Sequence, residues 1–335
     1  MRTILASLFV CGYLLTTLSG CEEAEKPKPE EPRNLDSLLV QSPDSIPLLL
    51  ERGNIRFDDY EYDLAMNDAA HAFRLDSANI DARLLYAEVL NNRKQRTTED
   101  VSNAQRHYKM IIKKQPKNLR ALVGLAATYA FQEDSKKTFQ YVNEALRINP
   151  RYRDAYVLKG SVYRKQGNIE LAISSYETAI QQDPEFFEAY FFLGQIYQSQ
   201  GDPLCVEYFA TALELRPHIL EVKYQLAFSK QLFDQVEGAK EIYRDMARDT
   251  VDFYVARGLF HQGYIKQFVE NELDSAMYFY GSAIETEPRY VEAWHNLGLC
   301  HVAKGDKTKA LQSFAKALKY DPDFTLSREE ADRLK

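Results

Sequence analysis

The sequence predicts an all-α solenoid of about eight helix pairs. Three observations carry that prediction. First, Ala65, Ala104, Thr138, Ala172, Cys205, Ala239, Ala276 and Ala310 follow one another at intervals of 39, 34, 34, 33, 34, 37 and 34 residues. A period near 34 marks a repeat array. Second, from Ala104 onward a larger apolar or aromatic residue stands four positions later, at Tyr108, Val142, Tyr176, Phe209, Tyr243, Tyr280 and Phe314. Ala72, Ile111, Ala145, Ala179, Ala212, Met246, Ala283 and Ala317 stand seven positions later. Those offsets share one helix face. Third, Gly53, Ala87, Ala126, Gly160, Gly194, Ala227, Gly263 and Gly298 recur upstream with a similar period. A Gly inside a helix costs about 1 kcal/mol relative to Ala, so its recurrence asks for a compensation. Close approach of a partner helix supplies one, which makes the unit an antiparallel helix pair.

From the N-terminus, Met1 and Arg2 precede about 15 mainly apolar residues, Ile4 to Leu18. That is shorter than the ~20 needed to span a bilayer and fits the apolar core of a secretory signal. It ends in Leu18-Ser19-Gly20-Cys21, which resembles the bacterial lipobox. The resemblance implies a signal peptide over 1–20, cleavage before Cys21 and lipidation of its sulfur. Two or three acyl chains on Cys21 make a stable anchor, where one holds marginally. The charged, proline-rich run after Cys21 reads as an extended, disordered tether over 21–45.

Eight units follow, at about 46–79, 80–118, 119–152, 153–186, 187–219, 220–252, 253–290 and 291–324. Pro116, Pro150, Pro184, Pro217, Pro288 and Pro322 end second helices. Gly167, Gly201 and Gly305 close first helices. Residues 325–335 read as a polar capping helix. Unit two carries a long turn around 91–100. Unit six lacks its closing Pro, which predicts a softer joint between units six and seven.

Unit eight reads Trp294-x-x-Leu297-Gly298-x-x-His301, then Ala310-x-x-x-Phe314, then Pro322. It resembles the tetratricopeptide repeat, with His301 where that family usually has Tyr. Units four and five match through Tyr156, Gly160, Tyr163, Tyr176 and Pro184, and through Tyr190, Gly194, Tyr197, Phe209 and Pro217. The resemblance implies a right-handed superhelix whose first helices line a concave, protein-binding face.

That face can be read from register. It carries Glu188, Phe191, Gln195 and Gln198 in unit five, then Glu221, Tyr224, Phe228 and Gln231 in unit six. It continues through Phe260, Tyr264 and Gln267, then Glu292, His295 and Leu299. Aromatic rings with amides one turn beyond suit an extended peptide or a partner helix. The same rings equally suit packing on the adjacent unit. The Lys/Asn/Arg clamp with which some relatives hold carboxylate termini is missing.

Other chemistry finds little footing. There is no His-x-x-x-His or Cys-x-x-Cys pair, no phosphate loop and no nucleophile elbow, so the sequence predicts no metal, no cofactor and no enzyme. Loss of Arg2 with the signal leaves 41 basic against 49 acidic residues, a balance of −8 that disfavours nucleic acid. The basic run Arg106, His107, Lys109, Lys113, Lys114, Lys117 and Arg120 reads as a solvated outer face. Cys205, at the small-residue position of its second helix, reads as a packing residue, and no disulfide to the first-helix Cys300 is expected. The sequence therefore predicts a lipid-anchored scaffold of the cell envelope, at the outer membrane, binding other envelope proteins. The alternatives are a small-molecule or glycan receptor, an enzyme accessory subunit on the same groove, and a homodimer through the array edge.

Overall fold

The computed structural model describes residues 34–335. Cys21, the signal segment 1–20 and the start of the tether lie outside those residues. Among the described residues there are 18 helices and no strand. α1 (Leu35–Gln41) leads into eight antiparallel pairs. These are α2 (Ile46–Asp58) with α3 (Tyr62–Leu75), α4 (Ile80–Asn92) with α5 (Thr98–Lys114), and α6 (Leu119–Phe131) with α7 (Ser135–Ile148). Next come α8 (Arg153–Lys165) with α9 (Ile169–Gln182) and α10 (Phe187–Ser199) with α11 (Leu204–Leu215). Then follow α12 (Leu220–Leu232) with α13 (Val236–Met246), α14 (Asp252–Phe268) with α15 (Leu273–Thr286), and α16 (Val291–Ala303) with α17 (Lys307–Tyr320). α18 (Thr325–Arg333) ends the chain.

The core is the periodic pattern made solid. Tyr108, Val142, Tyr176, Phe209, Tyr243, Tyr280 and Phe314 are all fully buried. Burying each apolar side chain contributes about 1.5–3 kcal/mol. The recurrent glycines make room for them. A Cβ at Gly298 would stand 2.4 Å from a ring carbon of Phe314, and one at Gly194 would stand 2.7 Å from Phe209. Cys205 and Cys300 are free and buried among these side chains, and burial pushes the Cys300 thiol up to about 11.

Two features differ from the sequence-based expectation, and a third adds detail to it. Residues 35–41 are helical, so no disordered tether reaches residue 45. Asn34 caps α1 through Ser37 N at 3.0 Å, and Leu39 packs with Leu49, Ala72 and Ala82 over the open end of unit one. The joint between units six and seven is tight. Asp249 Oδ1 accepts from Thr250 N and Val251 N, starting α14 without a proline. Gly258 then lets α14 onto α13, with space of only 2.7 Å between its ideal Cβ and the Tyr243 carbonyl. The long turn of unit two is ordered by a capping box, in which Thr97 and Asp100 satisfy each other's backbone N–H.

The array winds unevenly. At its N-terminal end the first helices pack directly on one another, α2 on α4, α4 on α6 and α6 on α8. Farther along, α12, α14 and α16 touch one another lightly.

Candidate functional site

The first helices present their concave residues very differently in the two halves. In units one to three buried carboxylates are met by the chain's own arginines, between α2 and α3 at Asp68 and between α4 and α6 at Glu88. Asp68, buried on α3, accepts from Arg52 Nη2 at 2.5 Å and from Arg56 Nη1 at 2.8 Å. Arg120 Nε and Nη2 grip the two carboxylate oxygens of buried Glu88 at 2.9 and 2.6 Å. Burial raises the Glu88 pKa and Arg120 opposes it. Arg120 thus faces inward and leaves the outer-face run predicted from sequence. His107 leaves it too, wedged beside Phe73 and Tyr86 with Arg83 at 3.1 Å. Burial, then Arg83, pushes its pKa down to about 4. A cleft of about 520 Å³ remains in units two to four, between Asn91, Arg96, Phe131, Leu158 and Lys165.

In units six and seven three of the predicted rings, Tyr224, Phe228 and Phe260, meet around a residue the register left out. His261 is buried and stacks on Tyr243, 4.7 Å between centroids and 4° apart. Phe228 and Phe260 meet it edge-on at 5.8 and 5.2 Å, and Tyr224 Oη lies 3.3 Å from its Nε2. Burial pushes His261 down to about 3, so its ring is neutral. Phe260 is itself buried against Tyr280 and Tyr290. Phe191 is half-buried against Phe209. These rings are mainly structural, and Tyr224 and Phe228 offer only part of their surface.

The open surface lies one turn onward. Tyr264 is exposed and packs on Phe268 at 4.6 Å, and Phe268, Val269 and Leu232 are all more than half exposed. Phe268 and Leu232 stand at the same place, five residues after Gly263 and Ala227. That match between repeats, with the Tyr264–Phe268 spacing of four, was the available signal. His261 had none, because its value depends on which neighbour closes over it.

The amides are held by one end. Gln195 Oε1 accepts from Arg164 at 3.2 Å. Gln198 Nε2 donates to Ser229 Oγ at 2.8 Å. Gln231 Oε1 lies 3.1 Å from His261 Nδ1. Gln267 Oε1 accepts from Tyr280 Oη at 2.8 Å. These four half-buried amides are each fixed at one end by the chain's own side chains. His295 is not part of this surface. It is buried, bonded through Nδ1 to Ser327 Oγ at 3.0 Å and packed on Phe314 and Phe324 under α18. The capping helix takes the place that the register assigned to a partner.

Among the described residues no group of three or more His, Cys, Asp or Glu is arranged to hold a metal ion. No helix among them is long and apolar enough to cross a membrane.

Comparison with known proteins agrees with the fold. Family models described as tetratricopeptide or TPR repeats match residues 160–201, 187–219 and 291–324. The chain therefore carries tetratricopeptide repeats. It is 32% identical over 88 residues to the tetratricopeptide repeat domain-containing protein PYG7, chloroplastic, of Arabidopsis thaliana. That match covers 26% of this chain and 27% of that protein. Among solved structures, the APC/C hetero-tetramer Cut9–Hcn1 aligns with a TM-score of 0.60 at 15% identity, over 90% of this chain and 58% of that one. The human IFIT1 dimer with m7Gppp-AAAA aligns at 0.56 and 16% identity, over 86% and 77%. The chain thus spans about a quarter of the curated relative's length and somewhat over half of the Cut9–Hcn1 chain. At such identities the structural likeness speaks to the solenoid fold alone.

Proposed function

We propose that this protein is a non-catalytic scaffold, tethered to a bacterial cell envelope through lipidated Cys21, which binds an extended peptide or partner helix across units five to seven. The observation that carries the binding reading is the exposed Tyr264–Phe268 pair beside Leu232, flanked by Gln231 and Gln267 amides already fixed at one end. Rings of this kind bury apolar side chains, and the free amide ends bond a peptide backbone. A partner protein of the same envelope compartment is the ligand this arrangement suits.

In-cell crosslinking followed by mass spectrometry tests the groove. The full chain is expected to give a few reproducible protein adducts that a Tyr264→Ala/Phe268→Ala variant loses while keeping its helical content. Adducts that survive in the variant would sink the assignment. The anchor is tested separately, since a Cys21→Ser chain that still fractionates with membranes contradicts lipidation at Cys21.

A further inference from the structure

The turn between α2 and α3 holds Tyr60 at a φ of 63°. At the matching turns of units four, five and eight the chain places Gly167, Gly201 and Gly305, and elsewhere Glu133, Asp234 and Asn271. The left-handed conformation crowds the Cβ of an ordinary residue, and a bulky ring there is a true outlier. Such strain persists only where surrounding structure fixes it.

What fixes it comes from unit five, 128 residues away. Tyr60 Oη donates to Glu188 Oε1 at 2.8 Å. Its ring meets Phe187 edge-on, 5.8 Å between centroids, and Tyr62 at 5.9 Å. Arg216 covers Phe187 at 5.8 Å, and beside it His218 Nε2 lies 3.3 Å from Asp59. Phe187 is consequently only 5% exposed, although it opens a first helix at the rim of the groove. Burial pushes the Glu188 carboxyl up, which the Tyr60 hydroxyl partly offsets.

We infer that the Phe187–Glu188 edge, with Arg216 and His218, is a docking surface whose occupant is this chain's own Asp59–Tyr60 turn. The contact joins unit one to unit five and closes the N-terminal half of the solenoid on itself. It takes Glu188 out of the stripe offered to a partner and leaves units six and seven as the accessible run. The closure needs no ligand, so its test is independent of the proposed binding partner.

Hydroxyl-radical footprinting of the full chain reads it directly. Phe187 is expected to be protected, and Tyr60→Gly to raise its oxidation at least threefold while Trp294 in unit eight stays unchanged. Relief of the backbone strain by glycine would by itself raise the urea midpoint, so a lower midpoint in Tyr60→Gly is the second expected sign that the contact has been lost. Phe187 oxidation that does not change, or a midpoint that rises, overturns the closure. Should Tyr60→Gly not fold, Glu188→Ala, which removes the acceptor of the Tyr60 hydroxyl, replaces it, with a rise of at least twofold expected and no rise overturning the inference.

Discussion

One residue after the small residue of its first helix, unit two has Glu88 and unit seven has Tyr264. The two positions are equivalent in the repeat, yet Glu88 is buried under Arg120 while Tyr264 is exposed beside Phe268. In units one to three the first helices pack on one another, Arg120 of α6 holds Glu88 of α4, and buried Asp68 of α3 is held by Arg52 of α2. In units six and seven α12 and α14 touch only lightly, rings surround buried His261, and the Gln231 and Gln267 amides are each fixed at one end. The difference teaches that repeat register assigns a direction to a side chain, while local winding decides whether that direction meets solvent or another part of the chain.

The contrast can be broken most severely at its charged centre. Arg120→Ala leaves Glu88 buried without its cation. Removing one partner of such a pair costs about 3–5 kcal/mol, and the half-exposed Arg120 places this case near 3. Urea denaturation is expected to show that loss, with hydrogen exchange accelerated in units one to four and little changed in units six to eight. Adding Glu88→Gln should recover most of it. An unchanged midpoint for Arg120→Ala would mean that this pair does not hold the N-terminal half together.

The next effect belongs to the other half and depends on pH. His261 has its folded pKa near 3, against about 6.5 in an unfolded chain. Between those values the unfolded state binds the proton and the folded state does not. Stability is therefore full above about pH 6.5 and is lost as pH falls toward 3. At 1.36 kcal/mol per unit, His261 contributes a loss of about 2 kcal/mol by pH 5. His107 and His295, also lowered by burial, add in the same direction. Urea midpoints at pH 7 and pH 5 should therefore differ less in His261→Gln than in the unaltered chain. Equal differences would show that His261 is already solvated.

The smallest expected effect on stability is the one that bears on binding. Tyr264 and Phe268 are exposed, so replacing both with Ala should move the urea midpoint by an amount corresponding to about 1 kcal/mol or less. A larger loss would place them in the core rather than on an accessible surface.

Much of the fold was legible because a repeat unit is specified locally. The small residue, the ring four positions on and the terminal proline lie within one helix pair, so Gly298, Phe314 and Pro322 disclose their packing without reference to the rest of the array. The candidate site was legible in its direction only. Phe191, Tyr224, Phe228 and Phe260 pack on other rings of the chain, and the sequence could not weigh how far neighbouring units close over them. His295 shows this best, since its cover is Ser327 on a helix belonging to no unit. The Tyr60–Glu188 contact was beyond reach for a related reason. It depends on curvature summed over four units, and no local pattern records that sum. The tether boundary failed on a smaller point, because Leu35 and Leu39 follow a helical spacing of four inside a segment judged by its charge and proline.

The central claim is that the position after the small residue is closed in units one and two and open in unit seven. A photo-crosslinking amino acid placed at Tyr264, and separately at Asn54, which Arg120 and the Leu50 carbonyl hold in the same register of unit one, tests it in cells. Discrete protein adducts from position 264 with none from position 54 are the result predicted here. Equal adducts from both positions, or adducts from 54 alone, would contradict it.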